Sequence, residues 1–146
     1  MTSPFLRAAA FAIVSIILLA VLSTIGFLFL IGIPKGPDAM ASFQAQAAQM
    51  APRVDLVLGV LVLLLCGWLA ARPFAGRAAL KTAALVAIVY IALDIAIVLL
   101  FGDTRQMRIE TTGLSYAVKT VAALIGGWIA SRTPAAASEP VTLDKE

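Results

Sequence analysis

The sequence predicts an all-α integral membrane protein with four transmembrane helices, and three observations lead to this fold class. Apolar residues make up 62% of the chain and charged residues only 13%, whereas a soluble domain carries roughly 45–50% and about 25%. The mean hydropathy is +1.02. Four stretches are nearly free of charge and come close to the ~20 residues that a helix needs to cross a bilayer. Most of the chain is therefore expected to lie in lipid.

The first span is predicted over 8–33, because no charged residue occurs between Arg7 and Lys35. Pro34 and Pro37 follow it, and proline ends a helix. A cleaved signal peptide is the alternative interpretation, but the apolar run is about twice the usual length of one and lacks a compact cleavage site. We therefore expect a retained transmembrane helix.

The other three spans are shorter or carry one charge each. The second ends at Arg72 and Pro73, the third contains Asp94, and the fourth contains Lys119. With the first span they form a single domain over 1–132, which we expect to be followed by a disordered cytoplasmic tail over 133–146 because that segment is polar and rich in Pro and Ala. The second, third and fourth spans are predicted over 54–71, 82–102 and 113–131.

A short interfacial helix is predicted over 38–50, in the first outer loop. This segment has no Gly or Pro, Asp38 is a suitable N-cap, and Pro52 marks its expected end. Its less polar side is formed at helical spacing by Met40, Phe43, Ala47 and Met50. A lid, a partner-binding element and a spacer are the three roles left open for it.

The ends of the spans predict the orientation in the membrane. An even number of spans places both termini on one side, and the basic residues near the membrane on that side are Arg7, Arg72, Arg77, Lys81 and Arg132. Basic residues on the other side are interleaved with acids. The positive-inside rule therefore favours cytoplasmic termini, and we expect a bacterial inner-membrane protein. Trp68 and Trp128 are expected to be interfacial anchors on the inner side.

One pattern occurs twice, as GWLAAR over 67–72 and GWIASR over 127–132. It predicts two consecutive helical hairpins related as a parallel internal repeat, with a pseudo-axis along the membrane normal. The alternative is that spans ending at the inner face share a small residue, Trp and Arg without common origin.

Small residues predict where helices approach closely, because transmembrane helices associate through close backbone packing and polar contacts. The fourth span is richest in them, so we expect it at the centre of the bundle. The candidate packing residues are Ala122, Ala123, Gly126, Gly127 and Ala130.

Asp94 and Lys119 are the two charges well inside predicted spans. They lie about 12 Å and 9 Å below the outer end of their helices at 1.5 Å per residue, and charges in a membrane usually pair or face a cavity. We therefore predict an Asp94–Lys119 pair, joined by Tyr90 and Tyr116 at one helical turn from each. A structural role in fixing helix register and a role as ion relay or ligand pocket are both open. Asp55 is expected to be solvated.

Several function classes lack the residues that they need. The chain has no His and no Asn and has one cysteine, Cys66, so haem or metal ligation, a disulfide and a CxxC pair are not expected. It also lacks the first-helix Glu of small multidrug transporters, the pore Asn of four-helix fluoride channels and the paired cysteines of quinone-linked thiol oxidoreductases. No nucleophile–base pair is present, so we expect no enzyme and no cofactor.

The remaining interpretation is a non-enzymatic accessory or scaffold protein that acts through helix packing. The alternative is a small oligomeric transporter or channel that uses the Asp94/Lys119 cluster. The expected partners are the lipid bilayer and either further copies of the chain or another membrane protein. Nucleic acid is not expected, because the net charge of +3 is small and its basic residues lie at membrane edges.

Overall fold

The computed structural model describes residues 3–101 and 109–132, which form four α-helices. All four are long and apolar enough to cross a membrane. The expected all-helical fold with four candidate membrane-spanning helices is therefore confirmed, whereas the predicted tail over 133–146 lies outside the described residues. The helices are α1 (Pro4–Ile31), α2 (Pro37–Ala71), α3 (Arg77–Phe101) and α4 (Ile109–Arg132).

The first helix has clear start and stop signals. The Ser3 hydroxyl accepts a hydrogen bond from the backbone N–H of Leu6 at 3.2 Å, and Pro4 occupies the first turn, where its missing N–H costs nothing. Gly32 ends the helix with φ +94°, a conformation that side chains disfavour. α1 thus begins a turn earlier than the predicted span and ends two residues before its limit.

The second helix is continuous through Pro52, so residues 38–50 are the first turns of α2 and form no separate interfacial helix. The prediction treated Pro52 as a boundary, but an internal proline removes only one backbone hydrogen bond and bends rather than necessarily ends a helix. Phe43, Ile31 and Pro34 line an open depression of about 160 Å³ between this segment and the end of α1. At 1.5 Å per residue the 35 residues of α2 extend about 50 Å, well beyond the ~30 Å of hydrocarbon.

Contacts between named residues define how the helices run relative to one another. The start of α1 lies beside the end of α2, because the Arg7 guanidinium reaches the Ala70 carbonyl. α2 and α4 are parallel: Gly59 is next to Lys119, and Gly67 is next to Ala123. α3 and α4 are antiparallel and meet where Gly127 of α4 faces the start of α3.

The centre of the bundle is held by α2 and α3, not by α4 as predicted. α2 and α3 each pack against all three other helices, whereas α1 and α4 barely touch. The helices that a two-fold axis would exchange, α1 with α3 and α2 with α4, are direct neighbours. A two-fold axis would place the helices of each exchanged pair at opposite corners of the bundle. Because the members of each pair lie side by side instead, the packing does not have the predicted pseudo-axis along the membrane normal.

Buried side chains occupy only one end of the bundle. We call this half the closed end; its buried residues fall within 8–19 of α1, 59–71 of α2, 79–90 of α3 and 119–130 of α4. Outside these ranges no residue that the structure describes is buried as a whole. We call the other half the open end; it comprises 20–31, 37–58, 91–100 and 112–118. The closed end holds the helices together, and the open end leaves their faces uncovered.

Candidate functional site: a polar cluster at the edge of the closed end

Lys119 is the most deeply buried charge that the structure describes, with 1% of its surface exposed. It projects from α4 towards α2, where Gly59 leaves the space that its side chain fills. A Cβ at Gly59 would overlap Cε of Lys119. The pairing of a glycine with a lysine across the parallel α2–α4 interface therefore permits an ammonium group to lie inside the bundle.

The charge of Lys119 is met by Asp55, not by Asp94. Its Nζ lies 2.6 Å from Oδ2 of Asp55, whose side chain remains 43% exposed. Asp55 precedes Gly59 by one helical turn, so both lie on the face of α2 that meets α4. The prediction paired Lys119 with Asp94 because it compared only helices adjacent in sequence, and it treated Asp55 as solvated. The Asp55–Gly59 spacing opposite an intramembrane lysine was the signal that it missed.

Tyr90 and Tyr116 surround the ammonium group of Lys119, as the sequence predicted for the composition of the cluster. Nζ donates to the Tyr90 hydroxyl at 3.4 Å and lies 5.5 Å and 6.0 Å from the ring centroids of Tyr90 and Tyr116. Aromatic faces stabilise a cation, more so where water is excluded. Lys119 is therefore held by one carboxylate, one phenol and two rings contributed by three helices.

Asp94 occupies the outer side of the cluster. Its Oδ2 accepts a hydrogen bond from the Tyr116 hydroxyl at 2.6 Å, and no Lys or Arg of the described residues lies within ion-pair distance of it. Asp94 and Tyr116 are both half-buried. Two carboxylates and one ammonium give the described cluster a net charge of −1 when all three are ionised, and this charge faces the open end.

One further polar group lies near the cluster without a partner. The hydroxyl of Ser115 is buried and makes no hydrogen bond among the described residues. Ser115 precedes Lys119 by one helical turn, so both lie on the same side of α4. No group of three or more metal-ligating side chains occurs in the described part of the chain. The site is an ion pair with aromatic walls.

The five candidate packing residues of α4 are all buried. A Cβ at Gly126 would overlap the Leu64 carbonyl oxygen of α2, whereas a Cβ at Gly127 would overlap Cβ of Ala83 in α3. Neighbouring glycines thus bring α4 against two different helices. The remaining three are Ala122 and Ala123, within 4% exposure, and Ala130, which packs with Ala71, Ala79 and Ala83.

Comparison with protein families, with curated proteins and with solved structures finds no match to this chain. The geometry of the cluster and the uneven burial of the bundle are therefore the basis for assigning a function.

Proposed function

We propose that this chain is a non-enzymatic accessory or scaffold protein that packs a partner's transmembrane helix against its open end. The observation that carries the proposal is that burial stops at one level in all four helices, although α1 and α3 continue beyond it as apolar segments. A partner's helix at the open end would cover the helix faces that are exposed there and so continue the packing of the closed end. Transmembrane helices associate through such close packing and through polar contacts.

The polar cluster supports a specific kind of partner. Asp94 and Asp55 are partly exposed at the level where burial stops, and the cluster holds two carboxyl groups but only one ammonium group. A carboxylate facing lipid is costly unless it pairs. A partner helix that carries a cationic or hydrogen-bond-donating side chain at this depth would complement it. Lys119 belongs to the fold on this account, because its charge is already neutralised.

Co-purification in mild detergent tests the proposal, with Asp94→Asn as the variant. Asn keeps an acceptor for the Tyr116 hydroxyl and removes only the charge, so the fold should persist. We expect a stable membrane-protein partner with the wild type, and recovery reduced several-fold with Asp94→Asn. Asp38→Asn, at an exposed position of α2, is the matched control and should retain the partner. Equal recovery from both variants would contradict the proposal.

A second candidate function, an oligomeric transporter or channel, is favoured by one observation. Asp55 is partly exposed and bonded directly to buried Lys119, so a polar path enters the bundle from the open end. In this case co-purification should return only further copies of the chain. Reconstituted vesicles should then carry an ion or proton flux that Asp55→Asn abolishes and Asp38→Asn leaves unchanged.

We further propose that both termini lie in the cytoplasm of a bacterium, with the chain in the inner membrane and its helices arranged as two consecutive hairpins. The basic residues at the closed end support this orientation through the positive-inside rule. Reporter fusions after Arg77 and after Lys145 should both indicate the cytoplasm, and a fusion near Gln46 should indicate the outside. An external signal at Arg77 would overturn the orientation.

A further inference from the structure

We infer that the closed end binds the headgroups of anionic phospholipids through a basic patch that the polar cluster and the packing do not use. Four basic side chains form this patch, and all are exposed: Arg72, Arg77, Lys81 and Arg132. No Asp or Glu of the described residues lies at this end of the bundle. The patch is therefore a concentration of positive charge without an internal counter-charge in the described chain.

The helix packing brings the four residues to the same end of the bundle. Gly127 of α4 faces Ala79 and Leu80 of α3, so the last turn of α4, which carries Arg132, lies beside the first turn of α3. Arg77 and Lys81 are one turn apart on α3 and share a face. Arg72 ends α2 and is joined to Arg77 by a short turn.

Two tryptophans fix the depth of this patch in the membrane. The guanidinium of Arg132 lies 3.9 Å from the ring centroid of Trp128, and that of Arg72 lies 5.4 Å from the ring centroid of Trp68. Tryptophan favours the headgroup level of a bilayer. Each arginine is therefore held at the level where lipid phosphates lie, with part of its side-chain freedom already lost before a phosphate binds. The repeated GWxAxR pattern places one such Trp–Arg pair on each of two adjacent helices.

Arg7 has a different role from the four patch residues. Its guanidinium donates to the carbonyls of Leu69 at 3.1 Å and Ala70 at 3.0 Å, where it complements the negative end of α2. This difference matters, because a guanidinium whose N–H groups already donate to backbone carbonyls has fewer donors left for a lipid phosphate. Arg72, Arg77, Lys81 and Arg132 make no such backbone contact through their side chains in the described structure.

The test measures lipid retained by the purified full chain. The protein is equilibrated in detergent micelles that contain equal amounts of phosphatidylglycerol and phosphatidylcholine, and the retained lipids are quantified by mass spectrometry. We expect the wild type to retain phosphatidylglycerol preferentially. Because a basic residue near an anionic membrane surface changes binding by roughly fivefold, the Arg77→Gln/Lys81→Gln double variant should lose this preference by roughly 25-fold. The matched control is Arg53→Gln, an exposed position of α2 at the open end, which should keep it.

Three outcomes would overturn the inference. The first is equal retention of the two lipids by the wild type. The second is an unchanged preference in the double variant, and the third is full displacement of phosphatidylglycerol by inorganic phosphate at matched ionic strength, which would indicate a plain anion site. Changing Glu139, Asp144 and Glu146 to Gln tests the other occupant, the acidic segment of the chain after Arg132. A preference that emerges only in that variant would assign the patch to this segment instead.

Discussion

The closed end is packed and the open end is not, although α1 and α3 are largely apolar on both sides of the boundary between the two ends. α1 shows the difference within a single helix: Ala8, Ala12 and Ser15 are fully buried, whereas Ile25 and Phe29 are 57% and 90% exposed. In lipid an apolar side chain gains little by moving from the membrane into a bundle. Hydrophobicity therefore places both ends in the membrane, and it does not decide which end packs.

Residue size decides where these helices touch. The buried positions of the closed end are dominated by Ala and Gly, and Gly67 of α2 and Gly126 of α4 lie against backbone atoms of the facing helix. At the open end, by contrast, a Cβ added at Gly26 would meet no atom within 4 Å. Lys119 and its partners mark the boundary between these regions.

The largest effect is expected from filling a glycine at the closed end. Gly126→Leu would force the α4 backbone away from Leu64 and Trp68, and overpacking of this kind typically costs on the order of 1–3 kcal/mol or more. We expect loss of the monodisperse protein in size-exclusion chromatography. Gly26→Leu is the matched control at the open end and should be tolerated. Similar behaviour of the two variants would remove the distinction between the ends.

The next effect concerns the ion pair at the boundary. Asp55→Leu leaves a buried ammonium without its counter-charge, and breaking a buried pair can cost about 3–5 kcal/mol. The double variant Asp55→Leu/Lys119→Leu should recover most of the loss of thermal stability in detergent, because no charge is stranded. Additive losses would show that the two residues do not stabilise each other.

The coupling of Lys119 to Asp94, the partner predicted from the sequence, can be compared with its coupling to Asp55. In the structure Asp94 reaches Lys119 only through Tyr116. The double-variant cycle of Asp94→Leu and Lys119→Leu should therefore show weaker coupling than the cycle with Asp55. Stronger coupling to Asp94 in thermal unfolding experiments would instead favour the predicted pair.

A smaller effect is expected at Gly59. A methyl group there would overlap the flexible stem of Lys119, which can shift more easily than backbone. Gly59→Ala should therefore lower the melting temperature less than Gly67→Ala, whose Cβ would lie 2.6 Å from the Ala123 carbonyl oxygen. It should also weaken the measured coupling between Asp55 and Lys119. A larger loss at Gly59 than at Gly67 would mean that the lysine stem cannot move.

The sequence was sufficient for the features that depend on local pattern. Uncharged stretches and flanking prolines located four spans, and the end of α2 at Ala71 coincides with the prediction. The small residues of α4 were recognised because the GxxxG-type spacing is local. Tyr90 and Tyr116 were placed in the cluster by their one-turn distance from the two charges.

The features that depend on tertiary packing were missed. The partner of Lys119 comes from α2, and the Asp55–Gly59 spacing indicates that partner only once α2 and α4 are known to run side by side. Pro52 was treated as a helix end because proline often ends a helix, and no local pattern shows that α2 continues through it. The central position of α2 and α3 likewise follows from which faces meet, which small-residue content alone does not determine.

The most direct test of the central claim, that the open end receives a partner helix, is photo-crosslinking in native membranes at positions matched for exposure. On α4 these are Leu114 at the open end and Val121 at the closed end, 67% and 54% exposed, and on α3 they are Leu99 and Ile88, 68% and 60% exposed. We predict one protein adduct of defined mass, different from a multiple of the chain, from Leu114 and Leu99 and none from Val121 and Ile88. Protein adducts from both ends alike, or lipid adducts alone from all four positions, would contradict the claim.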